Sequence, residues 1–592
     1  MGIKAQARSL AGAKSRPKQA MLAVTIGALG VAAFTVPLPG AAAAPAVASS
    51  EHLVVYRTGV SRDAAHAAIR AAGGTVVEEI GAVGVATVRT TDPEFVEKAS
   101  GQAAIFGTTE ASSVIGQGEQ RKRLFGGDVA QDASTGTATI RRAKPAGDDP
   151  LAPAQWGNRL IGATAAGSYA HERGSRAVRV AVIDTGVDAS HPDLAPVLNR
   201  RLSRNFTIDN EAGIDDGPCE VPSCVDPPDV DPFGHGTHVA GTIAAALNGI
   251  GTAGVAPGVD LISLRAGQDS GYFLLRPFLL AMVYAALNGV DVVNLSIYLD
   301  PWLRNCRTNP ADSPAEQAEQ RARIEAVLRV TQFARSQGVS MVAATGNEWV
   351  DLGKPHADGS SPNFPAGAAR DRQIDPNDCL TLPSDAPGVL DVSAVGPPNE
   401  DGEFRKAYYS NWGEPVVVAA PGGDSREFFG KPGYNRPENR ILAPYPLAVA
   451  RECGEVDAEG VPNGLTTCGP VPGSQPRTTP LVRDCAPSAS GACGLYAYAQ
   501  GTSMASPYAA GVMAIIVAQR GHRDRLHGGV TMNPDQVERL LRETATPVAC
   551  PDSNPYVYPH APEVYDAVCE ATTHGNGFFG AGLVSADRAS TL

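Results

Sequence analysis

The sequence predicts an α/β protein built on a mostly parallel sheet flanked by helices, preceded by a small α+β unit. Two observations carry this. From Arg179 onward, strand-like apolar runs such as "VRVAVID", "VDLISLRA", "VDVVNLSI", "VSMVAATG" and "VLDVSAVG" alternate with longer, often Ala-rich segments such as "FLLAMVYAAL" and "RIEAVLRVTQFARSQ". Strands separated by helix-length segments pair in parallel and are buried on both faces. Ahead of them, residues 51–116 read as strand "HLVVYRTG", helix "SRDAAHAAIRAAG", strands "TVVEEI" and "GVATVRT", and helix "DPEFVEKASG", with room for a closing strand. At 592 residues the chain can bury one large core and still carry accessory segments.

Taken in order, the chain begins with Lys4, Arg8, Lys14, Arg16 and Lys18 before an apolar run from about Met21 to Val36, then "AAAAPAVASS". This is the pattern of a secretory signal peptide over 1–48, with cleavage expected after Ala48 and the product secreted. The apolar run is shorter than the roughly 20 residues a spanning helix needs. No apolar run near the C-terminus is long enough to span either, so no membrane anchor is expected in the mature form. Residues 1–48 hold five basic side chains and no acid, so their loss leaves -18 against -13 for the whole chain. That charge, with no Lys/Arg block interleaved with aromatics, argues against a nucleic-acid partner.

Residues 49–116 form the small unit, and 117–150, polar, charged and Gly-rich, read as a linker and maturation region. Residues 151–592 form the main domain, interrupted at 422–497 by a Cys/Pro/Gly-rich insertion. Ten cysteines, all after residue 200, fit disulfide staples in an exported protein. Cys219/Cys224, Cys485/Cys493 and Cys550/Cys569 are close enough for local bridges, and none has the paired spacing of a zinc site.

In parallel sheets reactive residues collect at the carboxyl ends of strands. "VRVAVIDTGVD" drives a strand into Asp184, either a satisfied turn residue or a buried carboxylate that orients a histidine. "GHGTHVAGT" supplies His235 and His238 on one helix face. Without the acid of H-E-x-x-H or a third ligand, a metal pair is not expected, and His238 reads as a packing residue. "AQGTSMASPYAAG" sets Ser503 at or just before a helix start, either as an N-cap or as a nucleophile needing a histidine to take its proton. The G-x-S-x-G elbow is absent, which argues against an α/β-hydrolase acting on esters, and Ser270 in "GQDSGY" reads as a loop residue.

Together "VAVIDTGVDASHPDL", "GHGTHVAGT" and "GTSMASPYAAGV", in that order, resemble the three active-site signatures of the subtilisin-like serine peptidases. The resemblance covers roughly residues 150–590, and residues 51–116 resemble the family's inhibitory propeptide more loosely. It implies a three-layer subtilisin-like fold and a secreted serine endopeptidase made as a self-processed zymogen. Ser503 would be the nucleophile, His235 the base and then acid, and Asp184 the orienting carboxylate; Asn347 in "VAATGNE" matches the oxyanion-hole asparagine. Substrate would lie along the segment beginning Ser296-Ile297, with the first pocket between it and Ala343-Ala344-Thr345. Here the chain departs from the family, placing Tyr298 where glycine is usual, so that the ring narrows or roofs the cleft. No cofactor is expected for catalysis; Asp193 and Asn248 match positions that hold a structural calcium in many relatives. The expected partners are protein or peptide substrates and the chain's own propeptide, acting on a monomer. A catalytically inactive secreted binding homologue is the alternative, against which all four catalytic positions hold the expected residue types.

Overall fold

Apolar strands meeting helices on both faces organise the computed structural model, which describes residues 49–110, 147–209, 219, 221–365, 367–399, 402–464, 466, 468, 481–486, 491–558 and 565–592. The expected signal segment and all but the end of the expected linker lie outside the described residues. The N-terminal unit runs β1 (Ser50–Tyr56), α1 (Arg62–Ala71), β2 (Gly74–Ile80), β3 (Val85–Thr90), α2 (Phe95–Ser100) and β4 (Ile105–Glu110), so the closing strand is present. Its sheet is antiparallel, in the order β2-β3-β1-β4.

The main domain opens with α3 (Trp156–Ile161), β5 (Arg179–Asp184), β6 (Arg204–Asn205), α4 (His235–Ala244), β7 (Asp260–Arg265), α5 (Leu275–Leu287) and β8 (Val292–Leu295). It continues through β9 (Asn305–Cys306), α6 (Pro314–Ser336), β10 (Ser340–Ala344), the paired β11 (His356–Asp358) and β12 (Arg372–Ile374), β13 (Cys379–Leu380), β14 (Val389–Val395) and β15 (Val416–Pro421). Seven strands form one sheet, ordered β15-β14-β10-β8-β5-β7-β6, and every pairing in it is parallel. Alternation along β5 shows why helices cover both faces: Val180 and Val182 join one core, Ala181 and Ile183 the other. The α5 and α6 residues Phe278, Leu279, Val327 and Val330 line the second core. Helix α6 begins earlier than "RIEAVLRVTQFARSQ" suggested, because Ser313 and Glu316 form a capping box and Pro314 takes the first position.

The 422–497 stretch contributes β16 (Ile441–Pro444), α7 (Leu447–Glu452), β17 (Leu481–Cys485) and β18 (Cys493–Ala499), with the three strands antiparallel around β18. Disulfides Cys453–Cys468 and Cys485–Cys493 hold it. From β18 the chain passes directly into α8 (Thr502–Arg520), the central helix of the first core, with α9 (Pro534–Thr544) and α10 (Ala586–Ser590) packed beside it. All ten cysteines are paired: the three local bridges form, and Cys306–Cys379 joins β9 to β13. Among the described residues no helix is long and apolar enough to cross a membrane.

The N-terminal sheet lies on α5 and α6 because β1 is apolar on both sides. Val54 and Tyr56 pack with Ile69, Val88 and Phe95 in the unit's own core, while Leu53 and Val55 join the core shared with α5 and α6. Polar ties lock the seam: Arg329 Nη1 donates to the Tyr56 carbonyl at 2.8 Å, Arg276 Nε to Glu78 at 2.8 Å, and Thr109 Oγ1 to Glu319 at 3.0 Å.

Candidate active site

Asp184 ends β5 fully buried, and Thr185 N donates to its Oδ1 at 2.7 Å. His235 opens α4, and its Nδ1 lies 2.7 Å from Asp184 Oδ1 and 2.9 Å from Oδ2. The approach depends on small residues. Gly234 caps the helix at φ 99°, a conformation side chains rarely adopt, and a Cβ on Gly236 would stand 2.1 Å from the Gly186 carbonyl oxygen. Burial pulls the His235 pKa down, but the charge of Asp184 and the hydrogen bond to it outweigh that, leaving it above the ordinary 6.5.

The sequence reading missed Asp231, which builds this corner. Its Oδ1 accepts from Thr185 Oγ1 at 2.9 Å, Phe233 N at 3.1 Å and Gly234 N at 2.8 Å. Its Oδ2 accepts from Thr237 N at 2.8 Å and Thr237 Oγ1 at 2.7 Å, so one carboxylate holds the amide of the N-cap Gly234 and that of Thr237 in the first turn of α4 and, through Thr185, ties them to the end of β5. An acid four residues before His235 in "DPFGHGTH" was the available signal. His238 points away: its Nε2 lies 3.1 Å from the carbonyls of Ile441 and Ala497, and burial holds its pKa down to about 4. It is a neutral link to β16 and β18.

Ser503 is the second residue of α8, one step inside the helix. Pro507 lacks the N–H that would otherwise reach the Ser503 carbonyl. That oxygen instead accepts from Ser296 Oγ at 2.9 Å, while Ser503 Oγ donates to the Ser296 carbonyl at 3.4 Å. Asn294, buried in β8, secures the same joint by donating to Ser296 Oγ at 3.0 Å and accepting from Ser506 Oγ at 2.7 Å. Among the described residues no hydrogen bond joins Ser503 to His235. Catalytic contacts of this kind often tighten only with substrate bound.

Asn347 follows β10. Its Oδ1 accepts from Thr502 N at 2.8 Å and Thr502 Oγ1 at 3.0 Å, which leaves Nδ2 as the free end of the amide. A Cβ on Gly501 would stand 3.7 Å from both Asn347 Nδ2 and Ser503 N, so Gly501 keeps a small space beside these two donors. Asn411, also missed from sequence, holds the loop: its Oδ1 accepts from Glu348 N and Val350 N, both at 3.1 Å, and its Nδ2 donates to Thr345 O at 2.9 Å. Tyr298, expected to narrow or roof the cleft, is half-buried, its hydroxyl accepting from Asn363 Nδ2 at 3.3 Å. Ile297, Ala343, Ala344 and Thr345, the expected walls of the first pocket, are buried.

Asp193 and Asn248 come together: Asn248 Nδ2 lies 3.3 Å from Asp193 Oδ1 and 3.2 Å from Pro192 O. Asp193 also accepts from Tyr496 Oη at 2.8 Å, and Asp149 accepts from Gly249 N at 2.6 Å in the same loop. Burial pushes Asp193 up to about 8 and Asp149 up to about 7, and among the described residues no basic side chain pairs with either. Two buried carboxyls without a basic partner, beside the Pro192 carbonyl, are oxygen ligands of the kind a hard divalent cation takes; Asn248 Oδ1 accepts from Ile250 N at 3.1 Å, so only a turned amide would add a fourth oxygen.

The subtilase family profile matches residues 175–582. A thermophilic serine proteinase of Bacillus sp. (strain AK1) is 31% identical over 254 residues, 43% of this chain and 45% of that protein. Subtilisin E of Bacillus subtilis (strain 168) is 31% identical over 245 residues, 41% of this chain and 46% of that protein. The chain thus spans about half the length of these curated relatives. Among solved structures, the epidermin leader peptide processing serine protease of Staphylococcus aureus superposes with TM-score 0.57 at 19% identity, over 92% of this chain and 98% of that one. Fervidolysin of Fervidobacterium pennivorans gives 0.52 at 21%, over 92% and 61%. These two likenesses speak for the fold.

Proposed function

Because the chain belongs to the subtilase family, we propose that it is a secreted serine endopeptidase, made as a zymogen and processed by its own active site. The observation that carries this reading is the His235–Asp184 contact, which joins residues 51 apart in sequence at 2.7 Å. Ser503 Oγ attacks the scissile carbonyl while His235 Nε2 takes its proton, and Asp184 holds the imidazole in the tautomer that can do so. The oxyanion is met by Ser503 N and Asn347 Nδ2, the latter already oriented by Thr502. His235 then protonates the leaving amine, and water releases the acyl group with the same histidine as base.

Residues 49–116 act as the intramolecular inhibitor, with the sheet of residues 50–110 resting on α5 and α6 until the region 117–150 is cut. Asp193 and Asn248, with Asp149 nearby, would hold a structural calcium ion that stabilises the 248–251 loop and takes no part in the chemistry. The substrates are proteins or peptides.

A fluorophosphonate probe tests the reading on the mature secreted protein. Stoichiometric labelling of Ser503, located by peptide mass spectrometry, is expected; absence of label in correctly processed protein sinks it. Replacing Asn347 by leucine is expected to lower kcat by about 10²–10³-fold with KM little changed, a magnitude that comes from subtilisin itself. Steady-state hydrolysis of a peptide substrate reads this, and an equal rise in KM at constant kcat would assign Asn347 to ground-state binding instead.

A further inference from the structure

The first pocket has a floor that the three signatures do not describe. Strands β8 and β10 pair through Leu295 and Ala343 and then part. Beyond that point Leu299 N donates to Leu382 O at 3.0 Å, while Thr345 N donates to Val392 O at 3.3 Å. The chain from Leu382 to Val392 therefore passes from the Leu299 side of that gap to the Thr345 side, and it carries Asp385 and Asp391. Asp391 stands opposite Ala343 in parallel register, so it leaves the sheet on the face of that pocket wall, and it is 3% exposed. Neither its Oδ1 nor that of Asp385 has a hydrogen-bond partner among the described residues.

A third carboxyl group borders the same space. Glu348 directly follows Asn347, its side chain is 34% exposed, and its Oε2 lies 2.6 Å from where a Cβ on Gly346 would stand. The basic group facing these acids is Arg304, with its side chain 3% exposed. Its Nη2 reaches Glu348 Oε2 at 3.5 Å, its Nε lies 3.5 Å from His356 Nε2, and its Nη1 has no hydrogen-bond partner among the described residues. Burial pushes both Asp385 and Asp391 upward, with the Asp385 charge adding to the shift of Asp391; Arg304 opposes both shifts, and Thr381 and His356 also hold Asp385 down. One guanidinium stands against three carboxyl groups; Glu348 Oε2 also accepts from Asn411 Nδ2 at 2.6 Å and Asp385 Oδ2 from Thr381 N at 2.6 Å, which leaves one bare oxygen on each of Asp385 and Asp391.

We propose that Asp385, Asp391 and Glu348 make this pocket selective for a basic side chain, lysine or arginine, on the residue whose carbonyl is attacked. The assignment rests on the endopeptidase reading above. An entering ammonium or guanidinium supplies the donors that the buried oxygens lack, and charge-assisted bonds of this kind are among the strongest available. The aliphatic stem of such a side chain can pack beside the Tyr298 ring at the rim, with its charged end below.

The test uses the mature protein, its active sites counted with the fluorophosphonate, and four peptides identical except for Lys, Arg, Phe or Glu before the scissile bond. The expected kcat/KM for Lys and Arg exceeds that for Phe by at least about 10-fold and that for Glu by about 1,000-fold. Asp391→Asn lowers the Lys-to-Phe ratio about 10- to 100-fold; Glu348→Gln, at the exposed rim, lowers it about threefold and serves if the buried substitution does not fold. Unlabelled Ser503 overturns the endopeptidase reading and this assignment with it. Labelled Ser503 with preference for Phe or Glu, with no cleavage of the Lys and Arg peptides, or with a ratio unchanged in the variants, overturns the pocket assignment alone.

Discussion

Replacing Ser503 with alanine is expected to lower kcat for peptide hydrolysis by about 10⁶-fold, the magnitude set by subtilisin, to which this chain is related. The loss is large because the acyl-enzyme cannot form without the Oγ. It is not total, because Asn347 Nδ2, the α8 amides and the substrate contacts still stabilise attack by water, leaving roughly 10³–10⁴-fold over the uncatalysed rate. His235→Ala produces a similar loss, and the double variant loses little more, since the two side chains act as one unit. The fold survives: the Ser503 hydroxyl makes a single long bond, 3.4 Å to the Ser296 carbonyl, so thermal stability stays within about 1 kcal/mol of wild type. The variant also retains residues 49–116 uncut, which N-terminal mass spectrometry of the secreted product reads. Normal maturation in Ser503→Ala would remove self-processing, and a rate loss below about 100-fold would remove Ser503 as nucleophile.

The pattern of apolar runs made the α/β fold legible because both of its sources are local. Strand period and helix length are set within a few residues, and parallel pairing follows from the intervening helices. The segments bearing Asp184, His235, Asn347 and Ser503 were visible for a similar reason, each lying inside a run whose small residues allow close backbone approach. What sequence did not disclose is the scaffolding that spans distant segments. Asp231 looks like a turn acid until its carboxylate is seen to hold both Thr185 and the start of α4. Asn294 and Asn411 sit in or beside strands, where asparagine has little intrinsic reason to be, and only their bonds to Ser506, Thr345 and Val350 explain them. The cysteines divide along the same line. Partners 5, 8 and 19 residues apart were readable as local bridges; Cys453–Cys468, 15 apart, was not named although its spacing is similar, and Cys306–Cys379, 73 apart, depends on β9 meeting β13. The insertion was legible as an interruption, but not its role in delivering β18 to Ser503 or in receiving His238.

Replacing Asp184 with asparagine lowers kcat by about 10⁴-fold while leaving the shape of the site nearly intact. Thr185 N and His235 Nδ1 both meet the carboxylate at Oδ1, each at 2.7 Å, and Oδ2 also lies 2.9 Å from Nδ1, so either oxygen can accept from the imidazole. An asparagine offers one oxygen and one NH2. With the NH2 toward the imidazole, Nδ1 must become the acceptor and the ring proton moves to Nε2, the nitrogen that has to receive the Ser503 proton. The same substitution leaves a second signature in the pH profile. As the proposed base His235 would act only when neutral, so kcat/KM is expected to fall as the pH drops through its pKa, which stands above the ordinary 6.5 because the charge and hydrogen bond of Asp184 outweigh burial. Taking away that charge moves the acid limb to lower pH, although the neighbouring Asp231 carboxyl remains and keeps part of the upward pull. A profile of kcat/KM across pH 5 to 9 on the wild type and Asp184→Asn separates the two effects. A fall of less than about tenfold, or an acid limb that stays in place, would mean that His235 takes its orientation and its basicity from elsewhere.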